Sequence, residues 1–325
     1  MTDLTTRFAG LTLKNPVIVS SSGLTDSVEK LKKLEEYGAG AVVLKSIFEE
    51  QILYEADLLY ETSDYPEAED YIRNYTKSNS LDQYLKLISS AKKEVGIPVI
   101  ASVNCISANE WTEFVKNIEA AGADAVELNV YMLPVSLEYE GRDYEKTYLE
   151  ILTTVKSMVG IPVIMKLGPN FTHPVNVIEK LYHRGVDAVV LFNRFYTPDI
   201  NIDEMRMTSA DIFSSPSDIR YSLRWVAIVS SILEEVHIAA STGIHDWKAM
   251  VKQFLAGAQA VQVCSALYKN GPGYLAEMIY GLESWMENKK FRSIENFRGK
   301  MSYRNITDPA VYERSQFMRY FSSQH

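Results

Sequence analysis

Lys45-Ser46, Glu127 with Asn129, Lys166 and Asn193 each stand at the end of an apolar run, and these are the residue types that could do chemistry. A lysine at the buried end of a strand is costly unless it meets an anion or an electron-rich group. Two lysines and two carboxamides placed alike predict a polar ligand held among them. Ser22-Gly23, Ser241-Thr242-Gly243 and Cys264-Ser265 end further runs. Such small residues, before helices expected to start near His245 and Gly271, offer backbone N–H groups to a phosphate. The five histidines form no catalytic set, no metal-ligand spacing occurs, and a three-glycine nicotinamide fingerprint is absent.

The runs themselves read as parallel strands, apolar almost throughout and rich in Val and Ile. They are expected at 15–20, 41–46, 97–103, 123–130, 161–167, 186–193, 237–243 and 258–264. Amphipathic helices are expected between and after them, at about 26–37, 81–95, 109–121, 147–159, 175–184, 223–235, 247–256 and 274–288. Glycine helix stops recur as Tyr37-Gly38-Ala39, Ala121-Gly122-Ala123, Arg184-Gly185-Val186 and Ala256-Gly257-Ala258. Val95-Gly96-Ile97-Pro98 and Val159-Gly160-Ile161-Pro162 repeat one another. The alternation predicts an α/β chain, a (β/α)8 TIM barrel forming one domain over 1–325 with a C-terminal extension from about 300 to 325. Long connections follow the second strand (49–80, rich in acid and tyrosine) and the sixth (194–220). Either could be a lid over the mouth, or a surface excursion or dimer contact.

Composition narrows the class. A net charge of −9 argues against nucleic acid or an anionic membrane as partner. No apolar stretch is long enough for a membrane span, and the first residues lack the regions of a signal peptide. Cys105 and Cys264 are far apart and make no metal-type pair. The expectation is a cytoplasmic enzyme with a small-molecule substrate, working as a homodimer.

At this point the chain resembles the dihydroorotate dehydrogenase family, FMN-containing barrels of pyrimidine biosynthesis. The likeness runs from Phe8 to about Arg298. It is carried by Phe8, Asn15-Pro16, Ser21-Ser22-Gly23, Lys45-Ser46, Glu127-Leu128-Asn129, Met165-Lys166-Leu167 and Asn193. Ser241-Thr242-Gly243-Ile244, Gln262-Val263-Cys264-Ser265-Ala266-Leu267 and the tail from Phe291 to Gly299 extend it. The resemblance implies that Lys166 faces the N1/C2 edge of the flavin and stabilises negative charge on the reduced ring. It implies that Lys45, Asn129 and Asn193 hold substrate and flavin. Ser22, Gly23, Ser46, Thr242, Gly243, Cys264 and Ser265 would approach the flavin ring or its phosphate.

The chain also departs from the family's pattern. The base position, Cys or Ser in the family, is Met132, a thioether that accepts no proton near neutral pH. The following Pro-Asn is Leu133-Pro134, and the substrate loop at 74–81 lacks its Met-Gly pair. The paired glycines after the sixth strand are replaced within Ser214-Ser215-Pro216-Ser217, and those of the seventh are half kept as Thr242-Gly243. The expectation is therefore an FMN-dependent oxidoreductase acting on a different small substrate, and poorly or not at all on dihydroorotate. Tyr131 is the nearest replacement acid and Cys105 a second candidate, although a packing aromatic and an inert thiol explain them as well. Two alternatives stand beside this reading. One is a genuine dihydroorotate dehydrogenase with a relocated base, and the other a non-catalytic barrel that binds flavin or a phosphorylated ligand.

Overall fold

Alternate residues of a strand face alternate sides, so closing parallel strands into a ring sorts one parity into a sealed interior. The computed structural model describes residues 2–48, 69–105, 112–130, 132–194 and 197–313. A hairpin of β1 (Thr6–Phe8) and β2 (Leu11–Leu13) comes first. The strands that follow are β3 (Val17–Val19), β4 (Ala41–Val43), the short β5 (Ile47–Phe48), β6 (Val99–Cys105), β7 (Ala125–Val130), β8 (Val163–Leu167) and β9 (Ala188–Leu191). A second hairpin, β10 (Pro198–Asn201) and β11 (Arg206–Ser209), precedes β12 (Ile238–Ser241) and β13 (Ala260–Val263). β4 pairs with β3 and β6, and β13 returns to β3, all parallel, which closes an eight-stranded (β/α)8 barrel.

The interior parity is apolar at the bottom. Ile18, Val43, Ile100, Ile164 and Val190 point inward with Ala41, Ala125, Ala188, Ala239 and Ala260, and all are fully buried. The alanines leave room for Phe8, Ala9 and Leu13 of the hairpin, which plug the floor. The opposite parity packs outward against the helices: α1 (Val28–Glu36), α2 (Glu69–Glu94), α3 (Thr112–Ala120), α4 (Gly141–Lys156), α5 (Pro174–His183), α6 (Ile219–Ile232) and α7 (Trp247–Ala256). α8 (Ser265–Asn270) and α9 (Tyr274–Asn288) complete the ring. The predicted glycine stops are present: Gly38, Gly122, Gly185 and Gly257 all have positive φ. The internal repeat is also structural. Asp124 accepts from Lys92 and the Val99 N–H, and Asp187 accepts from Lys156 and the Val163 N–H, so each aspartate ties a helix to a neighbouring strand.

Three expectations are corrected. The connection expected over 49–80 is helical from Glu69, so the stretch expected as a substrate loop at 74–81 lies in α2. Residues 49–68 lie outside the described ones. The connection over 194–220 contains the β10–β11 hairpin and the first turn of α6. The helix after β13 starts at Ser265 rather than near Gly271. Among the described residues no helix is long and apolar enough to cross a membrane.

The plug carries a titratable contact. The Ala9 N–H donates to Nδ1 of His237 at 3.0 Å, which only the neutral imidazole can accept. Burial, and then the nearby Arg298 guanidinium, lower the His237 pKa from its ordinary 6.5. With the folded value below the unfolded one, the unfolded chain takes up the proton first as pH falls. The contact should therefore contribute fully above pH 6.5 and be lost from there down to the folded value. Urea midpoints of the parent should fall across that window, and His237→Asn should flatten the slope. Identical slopes in the two proteins would remove His237 from the account.

Candidate active site at the barrel mouth

Following the interior parity upward from the apolar floor, the next inward residues are polar: Ser20, Ser102, Glu127, Lys166, Ser241 and Gln262. Above them come Asn104, Asn129 and Cys264. Helices and the hairpin plug exclude water from below, so this polar set is reachable only at the carboxyl ends of the strands.

Lys166 sits at the centre. It is only 6% exposed, and its Nζ donates to Ser20 Oγ at 3.0 Å and to Gln262 Oε1 at 2.8 Å. Ser20 Oγ donates to the same Gln262 oxygen at 3.1 Å. The Gln262 amide nitrogen donates to Glu127 Oε2. Glu127 is 1% exposed, and its Oε1 lies 3.7 Å from Lys166 Nζ without a hydrogen bond. An ammonium has three donors, and two of these are used within the protein.

Lys166 opens onto a cavity of 490 Å³, within the roughly 300–1,000 Å³ of small-molecule sites. Ser22, Asn193, Thr242, Gly243, Cys264 and Ser265, all expected at the site, line it with Lys166. Asn129 joins through Asn193, whose amide nitrogen donates to Asn129 Oδ1 at 2.8 Å. Ser46 is buried below the cavity, where its hydroxyl links Ser21 (2.9 Å) to Ser102 (2.7 Å). The Ser102 N–H in turn donates to the Tyr84 hydroxyl, whose pKa burial pushes up. Gly23 does not line the cavity; a Cβ there would meet the Tyr268 hydroxyl at 2.9 Å.

Several expected residues stand differently. Lys45 is exposed rather than buried and does not line the cavity; it lies past the end of β4, and the next residue, Ser46, is the one buried against Ser102. Gly243 is required by packing: a Cβ there would meet the Ile219 backbone nitrogen at 2.1 Å, and its φ is +79°. Thr242 holds φ 72°, a left-handed conformation that glycine adopts freely, and its hydroxyl donates to the Phe192 carbonyl at 3.0 Å. Met132 does not join the cavity. It lines a separate pocket of 60 Å³ with Tyr144, Tyr148 and Phe171, between the loop after β7 and α4. Tyr131 and the side chain of Cys105 lie outside the described residues.

One wall comes from the connection after β9. The Ser214 N–H donates to Ser265 Oγ at 3.0 Å, its hydroxyl meets His245 Nε2 at 3.0 Å, and Lys269 Nζ donates to its carbonyl at 2.8 Å. Burial, then Lys269, lower the His245 pKa. Arg194 donates to the carbonyls of Asp211 and Ile212, bracing the same segment. Burial raises the Cys264 thiol pKa, against opposing effects from the Ser22 hydroxyl and Lys166. Ser20 and Arg194 carry no assignment from the sequence, nor do Ser214 and Gln262 beyond their places in motifs. Parity could have found two of them: Ser20 and Gln262 stand two residues before Ser22 and Cys264.

A closed (β/α)8 barrel with a buried ammonium and paired carboxamides at its carboxyl-end mouth has the form of a barrel with a polar, electron-rich ligand at that mouth. Comparison with known proteins makes this specific. The family model described as dihydroorotate dehydrogenase matches residues 3–286. The catalytic subunit of dihydroorotate dehydrogenase B (NAD(+)) from Thermoplasma volcanium is 32% identical over 307 residues, covering 92% of this chain and 98% of that protein. The protein of the same name from Thermoplasma acidophilum is 30% identical over 306 residues, covering 92% and 99%. That from Methanocella arvoryzae is 30% identical over 298 residues, covering 89% and 95%. The chain belongs to the dihydroorotate dehydrogenase family, flavin-dependent oxidoreductases whose cofactor is FMN.

The residues present fit that cofactor. Among the described residues, Lys166 keeps a donor that no acceptor takes in a hydrogen bond, beside a cavity of suitable size. α8 begins directly at Ser265, which also lines the cavity; the Leu267 and Tyr268 N–H groups donate to the Cys264 carbonyl, which leaves those of Ser265 and Ala266 without a helical acceptor.

Proposed function

We propose that this chain is an FMN-dependent oxidoreductase in which the cavity over Lys166 holds the flavin and the Asn129–Asn193 pair holds a small substrate against it. Lys166 would take the N1/C2 edge of the ring. Thr242-Gly243 and Cys264-Ser265 would take the phosphate, with Ser22, Gly23 and Ser46 along the flanks. Lys45, exposed at the mouth, would close on the substrate. FMN supplies the hydride acceptor, and the protein supplies charge, orientation and exclusion of water. The observation that carries this reading is the buried Lys166 with an unspent donor at the cavity.

Substrate choice is the finer question. The names of the relatives favour dihydroorotate. Against it stands Met132, whose thioether is no base and which lines a different pocket. We favour a substrate whose oxidation or reduction needs no base at that position.

The purified protein should be yellow, or become so on adding FMN, with quenched flavin fluorescence. Photoreduction should bleach it, and a panel of small unsaturated and saturated acids should then reoxidise or reduce it. A protein that stays colourless with excess FMN would defeat the reading. A flavin that no small molecule oxidises or reduces would favour the non-catalytic alternative.

A further inference from the structure

Glu127, Gln262 and Lys166 stand in a fixed order below the cavity. Lys166 and Gln262 line it, whereas Glu127 lies behind them. The Gln262 amide is wedged between the charges, its nitrogen toward the carboxylate and its oxygen toward the ammonium. The charges remain 3.7 Å apart, and Glu127 Oε1 is left without any hydrogen bond although it is buried. Leaving a buried carboxylate oxygen without a hydrogen bond is costly, and a closer approach of the ammonium would supply one. Direct contact would also turn the ammonium away from the cavity and cancel its field there. The wedge prevents this.

We propose that Glu127 and Gln262 are positioning residues that set the reduction potential of the bound flavin through Lys166. This rests on the FMN reading above. Glu127 offsets part of the positive field that Lys166 presents, which disfavours the negative charge gained on reduction. Gln262 limits the offset by holding the two charges apart. Neither residue need touch the substrate.

The two substitutions should therefore act in opposite directions. In Glu127→Gln, Ser20 and Gln262 still accept from Lys166, so the ammonium persists while the opposing charge is gone. Binding of reduced FMN relative to oxidised FMN should tighten at least about tenfold, a rise of about 30 mV for a two-electron couple. In Gln262→Met the charges can close, and the same ratio should fall. Potentials are measured at neutral pH by equilibration with a reference dye, and the two dissociation constants by titration.

An unshifted or lowered potential in a folded, flavin-loaded Glu127→Gln protein would overturn the inference. If that variant does not fold, Gln262→Met carries the test: a fall supports the inference, and no change or a rise overturns it. Failure of the unaltered protein to bind FMN would instead overturn the reading beneath it.

Discussion

Mixing oxidised, FMN-loaded protein with dihydroorotate in a stopped-flow instrument should bleach the flavin slowly or not at all. Oxidation of that substrate removes a proton from one carbon while hydride leaves its neighbour. General-base help in such a step is typically worth about 10²–10⁴-fold. Met132 cannot give it, both because a thioether accepts no proton and because its side chain lines the pocket beside Tyr144 and Phe171. Cys264 does not substitute: burial raises its pKa, and β13 stands opposite β7 in the ring. Met132→Cys separates the causes. A gain of about 10²-fold or more would mean that the substrate pocket is intact and only the base was lost. No gain would mean that the pocket has changed too. Fast bleaching by the unaltered protein would refute the prediction and identify a true dihydroorotate dehydrogenase with its base elsewhere.

Lys166→Met should be among the most damaging single changes in the molecule. It removes the cation from beside Glu127, leaving a carboxylate that is 1% exposed with one hydrogen bond. Breaking a buried pair on one side typically costs about 3–5 kcal/mol. The loss should appear in urea unfolding of flavin-free protein, together with loss of FMN binding. Adding Glu127→Gln to Lys166→Met should restore much of the stability but none of the flavin binding. If the double variant were as unstable as the single one, the carboxylate and the ammonium would not be coupled as described.

Lys166 was legible in the sequence because a charge inside Ile-Met-Lys-Leu breaks an otherwise apolar run. The strands were legible because they are buried on both faces and read as short, mostly apolar runs, with the few polar residues such as Glu127, Lys166 and Gln262 facing the site. Ser20 and Gln262 were less visible, since serine and glutamine within a strand are common. Their role depends on which parity faces inward and on strands brought together by closure: Ser20 and Lys166 are 146 positions apart. Lys45 stands directly after the apolar Val42-Val43-Leu44, but it lies past the end of β4, where Ser46 is the residue buried against Ser102 and Lys45 is exposed. The start of α2 was hidden because its apolar spacing, Tyr71, Ile72 and Tyr75, is interrupted by the polar run Thr76-Lys77-Ser78-Asn79-Ser80 before it resumes at Leu81. The β10–β11 hairpin is exposed on both faces, so no alternation announces it.

The floor plug also constrains how the chain is made. Phe8 fills the barrel bottom, but the contacts that seat its hairpin come from the other end of the sequence. Thr6 Oγ1 donates to the Gln259 carbonyl, and Ala9 reaches His237. During synthesis the first strands leave the ribosome long before those partners exist. The hairpin must wait, with Phe8 and Leu13 uncovered, until β12 and β13 have been translated and the ring can close. Loop closure over such a distance is slow relative to local helix formation. Seating Phe8 and Leu13 is thus a late step, one that waits on a complete barrel.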